Sequence, residues 1–175
     1  MVKVSKDQMN RDEKRILAVL QKNAYENLDA MAKRIGFSRQ KIWRIMKKLE
    51  KNHMIWGYTA VTDNEKNELH HFTLLIKRSS RQLYEKSVDN ITSRKLEEQV
   101  AEFGLTIESS YYVHGEYDWV ITFTAPDLLQ AKRMSDAVSA LHPGVIEKTA
   151  LLETLFFVKN HYILNPEPAK LKTFV

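Results

Sequence analysis

The chain has 175 residues, 43% hydrophobic and 28% charged, a balance ordinary for one or two folded domains. It has no cysteine, which excludes disulfides and thiolate chemistry, and no apolar run near the roughly 18 residues that a membrane helix needs. The net charge of +5 is unevenly spread, because residues 1–61 hold 14 Lys and Arg against 6 Asp and Glu while residues 62–175 hold 13 against 16. A basic first third joined to a mildly acidic remainder suggests a nucleic-acid module followed by a part that is not one.

The first residues, Met1-Val2-Lys3-Val4-Ser5, form no apolar signal core, so a cytoplasmic location is expected. Asn10 is expected to cap the first helix, with Glu13 three residues on as its capping-box partner. Ile16, Leu17 and Leu20 give that helix an apolar stripe that ends near Asn23. A second helix, Leu28 to Ile35, presents Leu28, Met31, Ala32 and Ile35, and a tight turn follows at Gly36-Phe37.

Ser38 is suited to cap the third helix, and Phe37 before it can staple onto Ile42 inside it. At about 100° per residue, Ile42, Ile45, Met46 and Leu49 share one face. Gln40, Arg44, Lys47 and Lys51 share the opposite face, flanked by Lys41 and Lys48. A short β-wing is expected next, with Met54, Ile55 and Tyr58 closing the edge of the small core. A solvated basic helix on any core would look similar taken alone. The preceding helix and tight turn make the pattern that of a helix-turn-helix, whose second helix enters a DNA groove. Arg39, Gln40 and Arg44 are assigned to base edges, because Arg reads guanine and Gln reads adenine with paired hydrogen bonds. Ser38 at the same helix start is counted among the DNA-binding residues, Lys41, Lys47, Lys48 and Lys51 are assigned to phosphates, and Trp43 falls between the faces as core edge or sugar contact.

Residues 62–70 are polar and unpatterned and read as a linker. A strand is expected from about His71 to Arg78, then a helical region from Arg81 to Gly104. Its two stripes, Tyr84, Val88 and Ile91 and then Leu96, Val100 and Phe103, fall out of phase near Thr92-Ser93, which predicts a kink or two short helices. Two strands follow, about Thr106–His114 and Tyr117–Ala125, joined through Gly115-Glu116. A helix with Ala131, Met134, Val138 and Leu141 on one side ends at Pro143-Gly144, and a last strand is expected over Val145–Val158. The order βαββαβ predicts an antiparallel sheet with both helices on one face. In the last strand Leu151, Leu155 and Phe157 point one way and Leu152, Phe156 and Val158 the other. Helices can cover one such face, so the other is expected to meet a second copy in a homodimer, unless residues 161–175 cover it.

These residues resemble the Lrp/AsnC (leucine-responsive/asparagine regulator) family of transcription factors. The resemblance covers about residues 9–158. It runs through Met9-Asn10, Glu13 and Ile16-Leu17, then Met31-Ala32 and Leu49-Glu50, to the wing Ile55-Trp56-Gly57-Tyr58-Thr59-Ala60. In the second part it rests on Gly115-Glu116-Tyr117-Asp118 and Pro143-Gly144-Val145. It implies an α+β fold: a winged helix-turn-helix over 1–61, the linker, a ferredoxin-like βαββαβ effector-binding and dimerisation domain over 71–160, and a tail over 161–175. It also implies a DNA-binding transcriptional regulator, dimeric or higher, and no enzyme, with double-stranded DNA as partner. No cofactor, metal or catalytic residue is expected. An amino-acid effector is implied at Tyr112, His114, Gly115 and Asp118, with Asp118 on its ammonium and the backbone at Gly115 on its carboxylate. The alternative for that segment is a plain β-turn. The chain departs from the family at His53, where Gly is usual and Asn52 is expected to supply the left-handed cap, and in about a dozen extra residues before Gly115. An architectural DNA-binding protein is a second reading. A third is an enzyme like the siroheme decarboxylases, which share this resemblance. It would draw on His70, His71, His114, His142 and His161, none at metal-ligand spacing.

Overall fold

The computed structural model describes residues 11–80 and 85–175. The expected Asn10 cap and the Tyr84 end of the first stripe lie outside the described residues. The chain divides into two compact units, residues 1–61 with 158–169 and residues 62–157 with 170–175.

The first unit holds helices α1 (Arg11–Leu20), α2 (Leu28–Ile35) and α3 (Arg39–Lys51). Their apolar stripes meet as the sequence periodicity requires: Ile16, Leu20, Met31, Ile35, Ile42, Ile45 and Leu49 are buried in one core. The Asn27 side chain caps α2 by accepting from the amides of Asp29 and Ala30. Gly36 ends α2 at φ +70°, where its own amide and that of Phe37 both donate to the Ala32 carbonyl. Ser38 then starts α3, accepting from the Lys41 amide at 3.2 Å.

The end of α3 differs from expectation. Asn52 stays at φ −89°, and His53 itself takes the left-handed conformation at φ +54°. The wing forms no strand, and among the described residues none occurs between α3 and His70. Only Ile55 of the three expected wing residues packs on the core, while Met54 and Tyr58 are half-exposed. The residues expected as a linker carry one turn of 3-10 helix at Glu65–Asn67 and belong to the second unit. Two short strands, Lys159–Asn160 and Ile163–Leu164, pair in a hairpin that belongs to the first unit.

In the second unit, strands β1 (His70–Arg78), β2 (Thr106–Tyr112), β3 (Trp119–Ala125) and β4 (Ile146–Glu153) form one antiparallel sheet in the order β2-β3-β1-β4. Helices α4 (Glu85–Thr92), α5 (Lys95–Ala101) and α6 (Leu128–Leu141) complete the unit. The predicted break in the first helical region falls at Ser93–Arg94, where Arg94 sits at φ +60°. The sheet's core residues Phe72, Leu74, Ile76, Ile121 and Phe123 pack with Leu96, Val100, Met134 and Val138 of the helices. Phe72 and Phe123 are direct cross-strand partners, with rings stacked at 5.6 Å.

The alternate residues face away from the helices, as a two-residue period demands. Leu75 lies opposite Val120 and Ala150 there, Val120 opposite Tyr111, and Thr73 opposite Leu152. The last strand stops at Glu153, five residues short of the expected end. Thr154 donates its amide to the His71 carbonyl at 2.9 Å and shares a 2.7 Å hydrogen bond with His71 Nδ1. Phe157 then lies edge-on to the His71 ring at 4.8 Å, and Phe156 packs against Phe174. The expected alternation of Leu155 to Val158 is therefore not that of a strand.

Candidate nucleic-acid interface and effector turn

The start of α3 borders a groove of about 760 Å³, lined by Leu28, Ser38, Arg39, Gln40, Lys41, Trp43 and Arg44. Six of these, all but Leu28, were expected at the DNA-binding face, and Ser38 also sets where the helix begins. Trp43 is 55% exposed, so its ring belongs to the groove and not to the core edge.

Acidic side chains hold much of the basic face in place. Arg39 lies 3.6 Å from Asp29, Lys41 2.6 Å from Asp12, and Lys47 2.7 Å from Glu50. Lys48 reaches back 2.8 Å to Glu13, whose carboxylate is buried at the α1 side of the core. Two cations lie over the Phe37 ring, Arg15 4.7 Å and Lys41 3.9 Å from its centre. Arg15 also donates to the Ile35 carbonyl at 2.6 Å, which ties α1 to the end of α2. Among the described residues Arg44 and Lys51 have no such partner, so their charges face solvent. The sequence reading missed Asp12, Glu13 and Asp29 because each pairs with α3 from another helix.

The segment after α3 borders a second groove, of about 480 Å³, lined by Glu50, His53, Ile55, Trp56, Gly57 and Tyr58. Tyr58 donates to Glu50 Oε1 at 3.1 Å. Hydrogen bonds from Lys47 and then Tyr58 hold the Glu50 carboxyl below its ordinary range, whereas burial and then the Glu50 carboxylate push the Tyr58 phenol up. Trp56 is 95% exposed, an unusual position for so large an apolar side chain.

In the second unit, the expected effector residues sit on the β2–β3 turn. Asp118 is its clasp: its amide donates to the Ile76 carbonyl, its carbonyl accepts from Val113, and its Oδ2 accepts from the Arg78 amide at 2.8 Å. Gly115 has open space where a Cβ would stand. His114 is exposed. Tyr112 stacks on Trp119, with ring centres 5.6 Å apart and planes within 9°. Burial raises the Tyr112 phenol, the Arg78 cation opposes that, and Asp118 adds to it. Trp119 in turn meets the buried ring of His142 edge-on at 5.6 Å, and burial lowers the His142 imidazole's pKa.

Among the described residues no group of three or more His, Asp and Glu is placed to hold a metal. No described helix is long and apolar enough to cross a membrane.

A family model described as winged helix-turn-helix, DNA-binding, matches residues 9–55. Solved structures match nearly the whole chain. An AsnC family transcriptional regulator from Agrobacterium tumefaciens is 21% identical, with a TM-score of 0.63, covering 90% of this chain and 97% of its own. A transcriptional regulator from Neisseria meningitidis, in complex with L-Met, is 16% identical with a TM-score of 0.65, covering 92% and 98%. The leucine response regulatory protein of Mycobacterium tuberculosis is 15% identical with a TM-score of 0.65, covering 89% and 100%. No curated protein matches the chain by sequence. The chain therefore has a helix-turn-helix module followed by a four-stranded antiparallel sheet with helices, the α+β fold of these regulators.

Proposed function

We propose that this chain is a sequence-specific, DNA-binding transcriptional regulator of the Lrp/AsnC type, acting as a homodimer or higher assembly and tuned by an amino acid. The observation that carries this reading is the groove at the start of α3. Gln40, Trp43 and Arg44 line it, and a serine cap, a left-handed glycine and ion pairs from α1 and α2 fix the helix behind them. A pre-set helix pays little ordering entropy on binding, which favours specific contacts over loose attraction. Arg39, Gln40 and Arg44 read base edges, and Lys41, Lys47, Lys48 and Lys51 meet phosphates. The paired lysines among them trade a carboxylate for a phosphate.

The amino-acid effector is supported by the L-Met complex of the similar Neisseria regulator. Its site in this chain is the turn with Tyr112, His114, Gly115 and Asp118. The homodimer is supported by the sheet face that carries Leu75, Val120 and the half-exposed Tyr111 and Leu152.

The test is a gel-shift titration on the DNA upstream of the protein's own gene, against random duplex at fixed near-physiological salt. Discrete complexes that survive excess competitor are expected. Smeared complexes that competitor removes would replace the regulator with an architectural protein.

A further inference from the structure

Helix α3 carries one large side chain that no packing explains. Trp43 is 55% exposed and lies outside the small core that its neighbours Ile42 and Ile45 join. It has no hydrogen-bond, ring or cation–π partner among the described residues. An indole bare to water forgoes a large apolar burial, and tryptophan is enriched on surfaces where a partner completes it.

Its place on the helix points to the partner. At about 100° per residue, Trp43 falls between Arg39 and Gln40 on the circumference, about 40° from the first and about 60° from the second, one turn further along. Arg44 follows it, and all four side chains line the groove at the helix start. Among the described residues of that lining, Trp43 and Leu28 are the apolar ones, and Leu28 is seated against the core. Trp43 is thus an apolar point inside a polar, cationic surface. A second copy of the same surface would bring Arg44 and Lys47 against their like, whereas a polyanion with an apolar spot suits it. In the DNA major groove that spot is the 5-methyl group of thymine, the hydrophobic group among the base edges. Residues three apart on a helix are surface neighbours. An adenine held by Gln40 therefore brings the methyl of its own or an adjoining A·T pair to the indole.

We propose that Trp43 is a specificity-determining residue that reads the 5-methyl group of a thymine, on or beside the A·T pair that Gln40 takes. The inference rests on the DNA-binding reading above. It gives sequence information to a side chain that helical periodicity left between core edge and sugar contact. A sugar contact is the same on every sequence, and a methyl contact is not.

The test is a thymine-to-deoxyuridine scan of the bound operator, in gel-shift titrations of the full-length protein. Each duplex lacks one 5-methyl group and nothing else. At one thymine in a half-site the wild type is expected to lose about fourfold in affinity, the effect of one buried methyl. Trp43→Ala should bind the thymine operator more weakly, no longer distinguish thymine from deoxyuridine at that position, and bind random duplex as wild type does. Trp43→Phe, which keeps a smaller aromatic face, should keep part of the discrimination. A wild type indifferent to every replacement overturns the proposal with no variant needed. So does a Trp43→Ala protein that still loses fourfold at the same thymine, one that weakens on specific and random duplex alike, or one whose assembly state without DNA has changed. In each of these the regulator reading stands. That reading fails instead if the wild type forms no complex that survives random competitor.

Discussion

Arg44 and Lys51 stand on the same basic face, both without an ion pair among the described residues, but at different positions along the helix. Arg44 lines the groove beside Gln40 and Trp43, where a side chain can reach a base edge. Lys51 ends the helix, where a cation meets the backbone of DNA. Arg44→Ala should therefore cost about 1–3 kcal/mol on the specific duplex and relax one position of the site. Lys51→Ala should weaken specific and random duplex alike and make the salt dependence shallower by about one ion. Competition titrations at several salt concentrations separate the two. Equal losses for Arg44→Ala on both duplexes would contradict its role. The basic face itself was legible from helical periodicity, since it needs only the spacing of Lys and Arg. Its partial neutralisation was not, because Asp12, Glu13 and Asp29 come from other helices. His142 makes a second residue-scale case. Burial depresses its pKa in the fold, so above the ordinary histidine value folded and unfolded forms are both neutral and nothing is lost. As pH falls through about 6.5, the unfolded chain takes up the proton and the fold does not, so stability declines. Thermal melts between pH 7.5 and 5.5 should show that decline, and His142→Gln should flatten it. An unchanged slope in the variant would assign the decline to other groups.

The α2–α3 connection decides where the recognition helix points. Gly36 sits at φ +70° with open space around its missing Cβ, so a side chain there meets no clash and only the backbone conformation resists it. Gly36→Ala should cost about 1–2 kcal/mol of stability, the penalty of the left-handed region, with Gly36→Asn costing less. A denaturant titration in which Ala and Gly are equal would mean that the turn relaxes. This connection was readable from the chain because caps are local: Asn27, Gly36 and Ser38 each act within four residues. Elements that end through distant contacts were not. The last strand reads as continuous to Val158 by its apolar residues, yet it stops where Thr154 bonds to His71, 83 positions away. The wing reads as a strand from its family-like pattern, but among the described residues no partner strand pairs with it. At the end of α3 the family resemblance, with His53 where Gly is usual, pointed to Asn52 as the left-handed cap, and the backbone instead places His53 there.

Charge and surface make a single argument at the scale of the whole chain. The first 61 residues carry a net +8 and the rest a net −3, so attraction to DNA is concentrated in one part and opposed in the other. A single recognition helix of this size reads few base pairs, and affinity then depends on how many such helices are tied together. The sheet offers the tie. On the face away from its helices, Leu152 is 51% exposed and Tyr111 49%, with Leu75 and Val120 between them in the register. Two copies packed through this face form a two-fold pair, and their recognition helices read half-sites about one helical turn, roughly 34 Å, or a multiple apart. Leu152→Glu places a charge in the middle of that contact without touching the helix-covered core, which takes its neighbour Leu151 instead. The variant should remain folded, run as a monomer by light scattering at micromolar concentration, and bind an operator about 10²-fold or more weakly than wild type. Its affinity for a single half-site should be unchanged, because nothing in the groove at α3 has been altered. A variant that stays dimeric would move the interface elsewhere. One that becomes monomeric yet keeps full operator affinity would show that each copy reads its site alone.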